Sequence, residues 1–477
     1  MGNPRTDWGF VTEPVEGLNA RSLGYPRGRV LGGCSSINGM IYMRGQARDY
    51  DHWRQLGNLG WSWDDVLPYF LKSEDQAAVP IDDLHGEGGE WRVENQRLSW
   101  KILDAFREAA EQAGIPMTDD FNRGNNEGCG YFHVNQKRGW RWSTSKGFLD
   151  PVKSRKNLHI LTQAQAKMLT IENRRATGLT LQLGGEDAVI YASKEVILAA
   201  GAIGSPQLLQ VSGVGPTPLL REHGIEVISD LPGVGENLQD HLQVRCAYKV
   251  HGVQTLNERA NNLIGKISMA LEYAAFRSGP MSMAPSQLGA FAKSDPAMET
   301  PNLQYHVQPL TLDKFGEPLH PFPAFTASVS NLRPESRGYV RVKSPDPRTK
   351  PAIQPNYLST QTDRKIAVDS IRLTRRIIAQ PALQRYMPEE FKPGIQFQSN
   401  EELVTATGDI ATTIFHPVGT CRMGIDDMSV VDERLRVRGI DGVRIVDASV
   451  MPTITSGNTN SPVIMIAEKA SDMIAAN

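Results

Sequence analysis

The 477-residue sequence predicts an α/β fold in which a β-rich middle is inserted between two α/β ends. Three observations support this. A buried strand near residue 200 runs into a glycine turn and a helix, alternating apolar residues fill the middle of the chain, and a strand–loop–helix unit closes it. The first unit, Val196–Leu198 followed by Gly201–Gly204, is typical of turns that bring the backbone close to a ligand at a helix N-terminus. A tight crossover turn without a ligand is the alternative.

The other elements follow from periodicity and turn residues. Apolar spacing predicts a helix over 100–113 that ends at Gly114, and two strands flank a Gly-Gly-Glu-Asp turn at 184–187. The middle region predicts antiparallel strands interrupted by a helix, and the C-terminal part predicts a helix, a short strand and a last helix. The predicted ranges are Thr180–Leu183, Ala188–Ala192, 257–277, Ala324–Val329, Gly338–Val342, 364–379, Val443–Val446 and 461–474.

Composition excludes several classes of protein. The 51 basic and 53 acidic residues nearly cancel, which disfavours a nucleic-acid binder that relies on a positive field. No run of 18 apolar residues predicts a transmembrane segment. The four cysteines have no C-x-x-C spacing, so we expect neither a disulfide scaffold nor a zinc site, and a cytoplasmic location. The motifs of serine hydrolases, H-E-x-x-H metalloenzymes and P-loop proteins are absent from the sequence, and no metal is expected.

Two regions carry candidate chemistry. Glycine and serine residues succeed one another in the 28–39 loop, which allows a flat ring to lie against the main chain. His416 stands in Ile-Phe-His-Pro-Val-Gly-Thr, and an asparagine-rich loop follows some forty residues later. A histidine beside an amide can serve alcohol oxidation, because imidazole accepts the hydroxyl proton while the amide orients the oxygen. A hydrogen-bonded structural histidine is the alternative, and His241, next to Asp240, is the other histidine of interest.

Together these segments resemble the glucose–methanol–choline (GMC) oxidoreductase family of FAD enzymes. The resemblance rests on Gly28–Gly45, Gly201–Gly215, Pro232–His241, the His416 segment and residues 446–474, which occur in the family's order. It implies a Rossmann-like FAD-binding domain built from the discontinuous segments 1–50, 151–243 and 425–477. It also implies an inserted lid and substrate-binding domain, with a mostly antiparallel sheet, from residues 51–150 and 244–424.

The resemblance implies a role for particular residues. His416 matches the active-site histidine and Asn460 the second active-site position, which is His or Asn among members. Phe415 is expected against the flavin ring, Ala166 at the adenine, Asp447 and Ala448 on the ribityl–diphosphate side, and Ser461 and Pro462 near the pyrimidine end. The loop along the flavin is expected to contribute Gly33, Asn38, Gly39, Met40 and Ile41.

The implied reaction is hydride transfer from an alcohol to flavin N5, with His416 as acid/base and Asn460 holding the alkoxide. A primary aliphatic or aryl alcohol is the first choice and choline the second, with Trp61, Trp63, Phe415 and Glu272 as candidates for an ammonium site. A hydroxynitrile lyase and an inactive flavin-fold fragment are alternatives from other classes. The electron acceptor (oxygen, quinone or another) and the oligomeric state stay open, and a quinone would imply docking at a membrane.

Two departures from the family pattern bear on the cofactor. Members normally begin with a strand, a G-x-G-x-x-G turn and a helix, which this sequence does not contain. We therefore expect a piece of a longer protein or a natural variant with weakened FAD binding. Ile37 stands where some members have the histidine that tethers the flavin, so non-covalent FAD is expected.

Overall fold

The structure, a computed structural model, describes residues 2–284 and 286–476. Its α-helices are α1 (Ala47–Gln55), α2 (Trp63–Ser73), α3 (Lys101–Gln112), α4 (Gly201–Val211), α5 (Thr217–Glu222), α6 (Leu256–Asn261), α7 (Leu263–Phe276), α8 (Gln361–Ile378), α9 (Pro381–Gln384), α10 (Asn400–Ile410) and α11 (Asn460–Ala475). Short 3₁₀ turns cover Glu16–Leu18, Gly33–Ser36, Pro280–Ser282 and Ala448–Val450, and a π-helical turn covers Ser145–Leu149.

The strands are mostly short. They are β1 (Phe10–Val11), β2 (Gly24–Tyr25), β3 (Glu74–Gln76), β4 (Trp91–Val93), β5 (Gly128–Tyr131), β6 (Gln136–Lys137), β7 (Trp140–Arg141), β8 (Ala164–Glu172), β9 (Arg175–Leu183), β10 (Glu186–Tyr191), β11 (Val196–Leu198), β12 (Val214–Gly215), β13 (Ser229–Asp230), β14 (Leu242–Lys249), β15 (Leu288–Ala292), β16 (Leu303–Gln308), β17 (Ala324–Asn331), β18 (Tyr339–Arg341), β19 (Ala352–Gln354), β20 (Glu389–Lys392), β21 (Thr412–Thr413) and β22 (Val443–Ile445).

A seven-stranded sheet occupies the middle of the molecule. Its order is β20-β14-β17-β16-β15-β5, with β21 also paired to β14, and every pairing is antiparallel. One face carries apolar side chains such as Val244, Tyr305 and Val329, which pack in one core with helices α3, α8 and α10. This confirms the antiparallel sheet expected for the inserted part of the chain.

The opposite face of the sheet is polar, yet it is also buried. Its side chains come from alternate positions of β14, β16 and β17, because successive residues of a strand face opposite sides. Burial of so many polar groups is costly unless they have partners, so this face is the natural place to look for a ligand site. Its members include Gln243, Arg245, Gln304, His306, Ser328 and Ser330.

The α/β part confirms the predicted strand–glycine–helix unit. Strand β11 pairs in parallel with β22, from Val196–Val443 to Leu198–Ile445, and leads through Gly201 into α4. Gly201 has φ of 78°, a left-handed conformation that glycine adopts without strain. Helix α11 lies against α2, and both pack in a second core with β11, β22 and α4. The domain boundaries expected from the resemblance stay a prediction.

Most predicted elements are present with small shifts of their ends. Helices α3, α8 and α11 and strands β9, β10, β17 and β22 lie where periodicity and turn residues indicated. The helix predicted over 257–277 is two helices, because the Asn262 side chain accepts a hydrogen bond from the Gly265 N–H (2.5 Å) and starts α7 anew. The strand predicted over 338–342 is β18, which pairs with β19 outside the large sheet, while Gly338 forms a bridge with Leu238.

Neither a membrane span nor a metal cluster is found in the part of the chain that the structure describes. None of its helices is both long and apolar enough to cross a bilayer. No group of three or more His, Cys, Asp or Glu side chains is arranged there to hold a metal ion.

Candidate active site

A buried carboxylate, Asp240, anchors the backbone of His416. The His416 N–H donates to Asp240 Oδ1 at 2.7 Å. Asp240 Oδ2 accepts from three hydroxyls: Tyr25 at 2.7 Å, Thr413 at 2.6 Å, and Tyr357. Burial and then the Asp240 charge raise the pKa of both tyrosines well above the ordinary value, so they stay protonated and donate. The position of the His416 backbone therefore depends on three distant parts of the chain, at Tyr25, Asp240 and Tyr357, and on the nearby Thr413.

Phe415, just before His416, has an uncommon backbone conformation. Its φ is 69°, which is strained for a residue with a side chain. Hydrogen bonds on both sides hold it there: its N–H donates to Thr413 Oγ1 at 2.7 Å, and its carbonyl accepts from Arg27 at 2.7 Å. The Phe415 ring lies 5.8 Å from that of Phe315, centroid to centroid. The strain and its support indicate that the direction of the His416 side chain is strongly determined.

The hydrogen bonds of two histidines define their tautomers. His241 Nε2 lies 3.0 Å from the Leu332 carbonyl, which can only accept, so this nitrogen carries a proton. Burial lowers the pKa of His241 to about 4, so His241 is neutral and its Nδ1 is an acceptor. His416 Nδ1, at 3.1 Å, must then be the donor. Burial, the neighbouring histidines and Arg27 lower the pKa of His416 well below its ordinary value, so its Nε2 carries a lone pair.

The structure brings Asn458, rather than the expected Asn460, to this lone pair. Asn458 Nδ2 lies 3.1 Å from His416 Nε2, and Asn458 Oδ1 accepts from Gln304 on the polar sheet face at 3.1 Å. Asn460 is instead the first residue of α11, and its Nδ2 is buried without a hydrogen-bond partner. The sequence Asn-Thr-Asn contains both asparagines, and they differ in that α11 begins at the second one, Asn460, whereas Asn458 lies in the loop before it. Sequence reasoning therefore missed Asn458.

The expected flavin loop contains a tight turn. Gly33 starts a 3₁₀ turn, and Asn38 Oδ1 then accepts from the Met40 N–H at 3.0 Å and from Arg141 at 2.9 Å. Ile41 forms a single bridge with Val134. The structure thus orders the segment that contains Gly33, Asn38, Gly39, Met40 and Ile41 without bringing any of them into a hydrogen bond with His416.

Asp447 has a structural role in the fold that was not predicted from the sequence. Its Oδ2 accepts from the Gly201 N–H at 2.9 Å and from Ser205 Oγ at 2.5 Å, which attaches the end of β22 to the beginning of α4. Its Oδ1 accepts from the N–H and hydroxyl of Ser449, at 2.8 and 2.6 Å. Ala448 begins the 3₁₀ turn that follows. Ala166 lies exposed on β8, opposite Leu181.

The candidates for an ammonium site lie elsewhere, except for Phe415. Trp61 is fully buried in the second core and donates to the Glu433 carbonyl at 2.9 Å. Trp63 packs against Tyr50, with ring centroids 5.8 Å apart. Glu272 pairs with Arg259 at 3.2 Å. These contacts explain the three side chains as parts of the fold, so the expected combination of aromatic faces and a carboxylate is not assembled from them.

Comparison with known proteins identifies the family. The N-terminal part of the GMC oxidoreductase family matches residues 12–243, and its C-terminal part matches residues 334–467. This chain is a GMC oxidoreductase. As a member it is an FAD-dependent enzyme that oxidises CH–OH donors, and it acts on alcohols.

The relatives of this GMC oxidoreductase match nearly all of it. It is 42% identical to an oxygen-dependent choline dehydrogenase of Photobacterium profundum, over 100% of this chain and 84% of that protein. It is 39% identical to an alcohol dehydrogenase [acceptor] of Pseudomonas putida, over 98% of this chain and 86% of that protein. The crystal structure of pyridoxine 4-oxidase from Mesorbium loti superposes with a TM-score of 0.89 at 30% identity, covering 99% of this chain and 89% of the other.

The residues of this GMC oxidoreductase fit an FAD. Asn460 Nδ2 and Ser461 Oγ, at the start of the 16-residue helix α11, are buried polar atoms without partners. Such atoms and the positive end of the helix suit a polar ring edge. A Cβ on Gly33 or Gly201 would meet no atom within 4 Å, so both glycine turns border open space. The two loops and the start of α11 are therefore the segments that could hold the cofactor, with Pro462 buried beside Ser461.

Proposed function

We propose that this GMC oxidoreductase converts a primary alcohol, aliphatic or aryl, into an aldehyde. His416 is the base in this proposal, and Asn458 holds the substrate oxygen. The observation that carries it is the relay from the Leu332 carbonyl through His241 to His416, which leaves a lone pair on His416 Nε2 beside the Asn458 amide. A substrate hydroxyl that displaces the Asn458 Nδ2–H from His416 Nε2 donates its own proton to Nε2 and accepts a hydrogen bond from the displaced amide.

The proton and the hydride leave different atoms of the substrate. The hydroxyl proton goes to His416 Nε2, and the hydride leaves the neighbouring carbon as the C=O bond forms. Bound FAD supplies the acceptor of this hydride, flavin N5. Asn458 Nδ2 donates to the oxygen while negative charge develops on it, which lowers the barrier to both transfers. Once Nε2 has taken up this proton, the His416 ring is a cation, and its Nδ1–H continues to donate to His241.

We further propose that FAD is held without a covalent bond to residue 37, because Ile37 has no nucleophilic atom. Asn460 and Ser461 are in this view cofactor contacts at the start of α11, in line with their unpaired buried atoms. Choline is the second candidate, favoured by the name of the relative at 42% identity. The contacts of Trp61, Trp63 and Glu272 within the fold argue against it.

The test is anaerobic reduction of the FAD-loaded protein by a panel of primary alcohols, followed by visible absorption. We expect bleaching of the flavin bands in the native protein. His416→Ala should abolish it while FAD stays bound, and His159→Ala, a change at an exposed histidine, should have no effect. Reduction of the His416→Ala protein at a near-native rate would exclude His416 as the base. Cyanide release from a cyanohydrin without reduction would indicate a lyase, and failure to take up FAD would indicate an inactive fragment.

A further inference from the structure

Three side chains form a row across the polar face of the large sheet. Arg245 on β14 lies opposite Ser328 on β17, and Ser328 lies opposite His306 on β16. The three residues, called the polar row below, are 6%, 0% and 1% exposed. Arg245 Nε and Nη2, Ser328 Oγ and both ring nitrogens of His306 have no hydrogen-bond partner in the structure. The polar row therefore concentrates unpaired polar atoms in one buried place.

The unpaired charge of Arg245 is the most costly member of this row. A buried polar atom without a partner costs about 1–3 kcal/mol, and a charged one costs more. Burial lowers the pKa of Arg245 to about 10, so the guanidinium keeps its charge at neutral pH. The nearby carboxylate of Asp313 is already bonded to Lys392 at 2.6 Å and to His320 at 3.3 Å. Arg245 thus has buried donors and charge to offer, with its Cζ 4.8 Å from the centroid of the Phe315 ring.

The polar row borders the His416–Asn458 centre. Gln304, two residues before His306 on the same strand face, donates to Asn458 Oδ1 at 3.1 Å. Phe315, below the guanidinium, packs against Phe415, the neighbour of His416. Strands lie about 4.8 Å apart, so the row extends roughly 10 Å from β14 to β16. An alcohol whose hydroxyl lies at Asn458 can reach Arg245 with a second polar group at the far end of a short chain.

We infer that the polar row is a subsite for a carboxylate of the substrate, and that the alcohol oxidised is a hydroxy acid with its hydroxyl remote from the carboxylate. The planar guanidinium can pair with both carboxylate oxygens, and the Ser328 hydroxyl adds a third donor. Burial lowers the pKa of His306 to about 3, so it is a neutral ring with one further N–H to donate. A trimethylammonium group would meet a like charge at this place. This inference rests on the proposed function, whose substrate class it narrows.

The experiment compares 6-hydroxyhexanoate with hexan-1-ol as reductants of the FAD-loaded protein. We expect kcat/KM for the hydroxy acid to be roughly 10- to 100-fold higher, the range for a hydrogen bond to a charged group, and chiefly through KM. Arg245→Met, which keeps the side-chain length, should bring this ratio close to one, and Arg245→Lys should retain part of it. Arg155→Met, at an exposed arginine, should leave the ratio unchanged.

Calorimetric titration with hexanoate, which cannot be oxidised, separates the subsite from the reaction. Hexanoate binding to the native protein, together with its loss in Arg245→Met, would support the subsite. If neither alcohol reduced the flavin, that result would refute the proposed function alone and would leave this support for the subsite in place. Equal kcat/KM values for the two alcohols in the native protein, or a ratio that survives Arg245→Met, would overturn the inference. Hexanoate binding of equal strength to both proteins would overturn it as well.

Discussion

Asn458 and Asn460 offer a sharp test of how this active site works, because the same change can be made two residues apart. Asn458 Nδ2 reaches His416 Nε2 at 3.1 Å, whereas Asn460 Nδ2 is unpaired at the start of α11. In the proposed reaction Asn458→Ala removes the donor to the developing alkoxide. Removal of one such donor from a buried site raises the activation free energy by about 2.7–4 kcal/mol, which lowers the rate constant by a factor of about 10²–10³. We therefore expect flavin reduction to slow by that factor.

The assay is stopped-flow reduction of FAD-loaded protein by a saturating primary alcohol, with bound FAD measured on the same samples. Asn458→Ala should retain FAD, although the change also leaves Gln304 Nε2 without its acceptor and should lower stability by about 1–3 kcal/mol. Asn460→Ala is the matched control, and we expect it to weaken FAD binding more than it slows reduction. The assignment is refuted if Asn460→Ala slows reduction a hundredfold while Asn458→Ala slows it less than threefold.

Two other predictions concern buried charges. Asp240→Asn removes the carboxylate that accepts four hydrogen bonds around His416. We expect the free energy of unfolding in urea to fall by about 3 kcal/mol or more. Asp150→Asn, at the surface, is the control and should change it little. An equal effect of both changes would contradict this. Burial lowers the pKa of His85, but hydrogen bonds to Asp120 and Glu74 outweigh it and raise the pKa to about 9. The stabilisation from this histidine is complete below pH 6.5 and is lost as the pH rises through 9, so His85→Gln should cost up to about 3 kcal/mol at pH 6 and less at pH 9.5. A cost that does not depend on pH would show that the charge of His85 contributes nothing.

Local patterns in the sequence were sufficient for several of the elements and for the family. The apolar spacing of α3 and α8, the glycine turn between β11 and α4, and the alternation of β17 are properties of neighbouring residues, so they could be read directly. His416 could be selected because a proline and a glycine follow it in a recognisable segment. In each case the information lies within about twenty residues of chain, where periodicity and turn chemistry act.

Only the tertiary structure decided which side chains meet. His241 and His416 are 175 residues apart in the chain, and their shared hydrogen bond determines the tautomer in which His416 Nε2 presents its lone pair to Asn458. The choice of Asn458 over Asn460 depends on the residue at which α11 begins, and the polar row depends on the register of three strands. A shift of one residue in either would turn different side chains toward the site, because side-chain direction reverses at every step along a strand and rotates by about 100° along a helix. Such registers are set by long-range packing, which no local pattern in the sequence specifies.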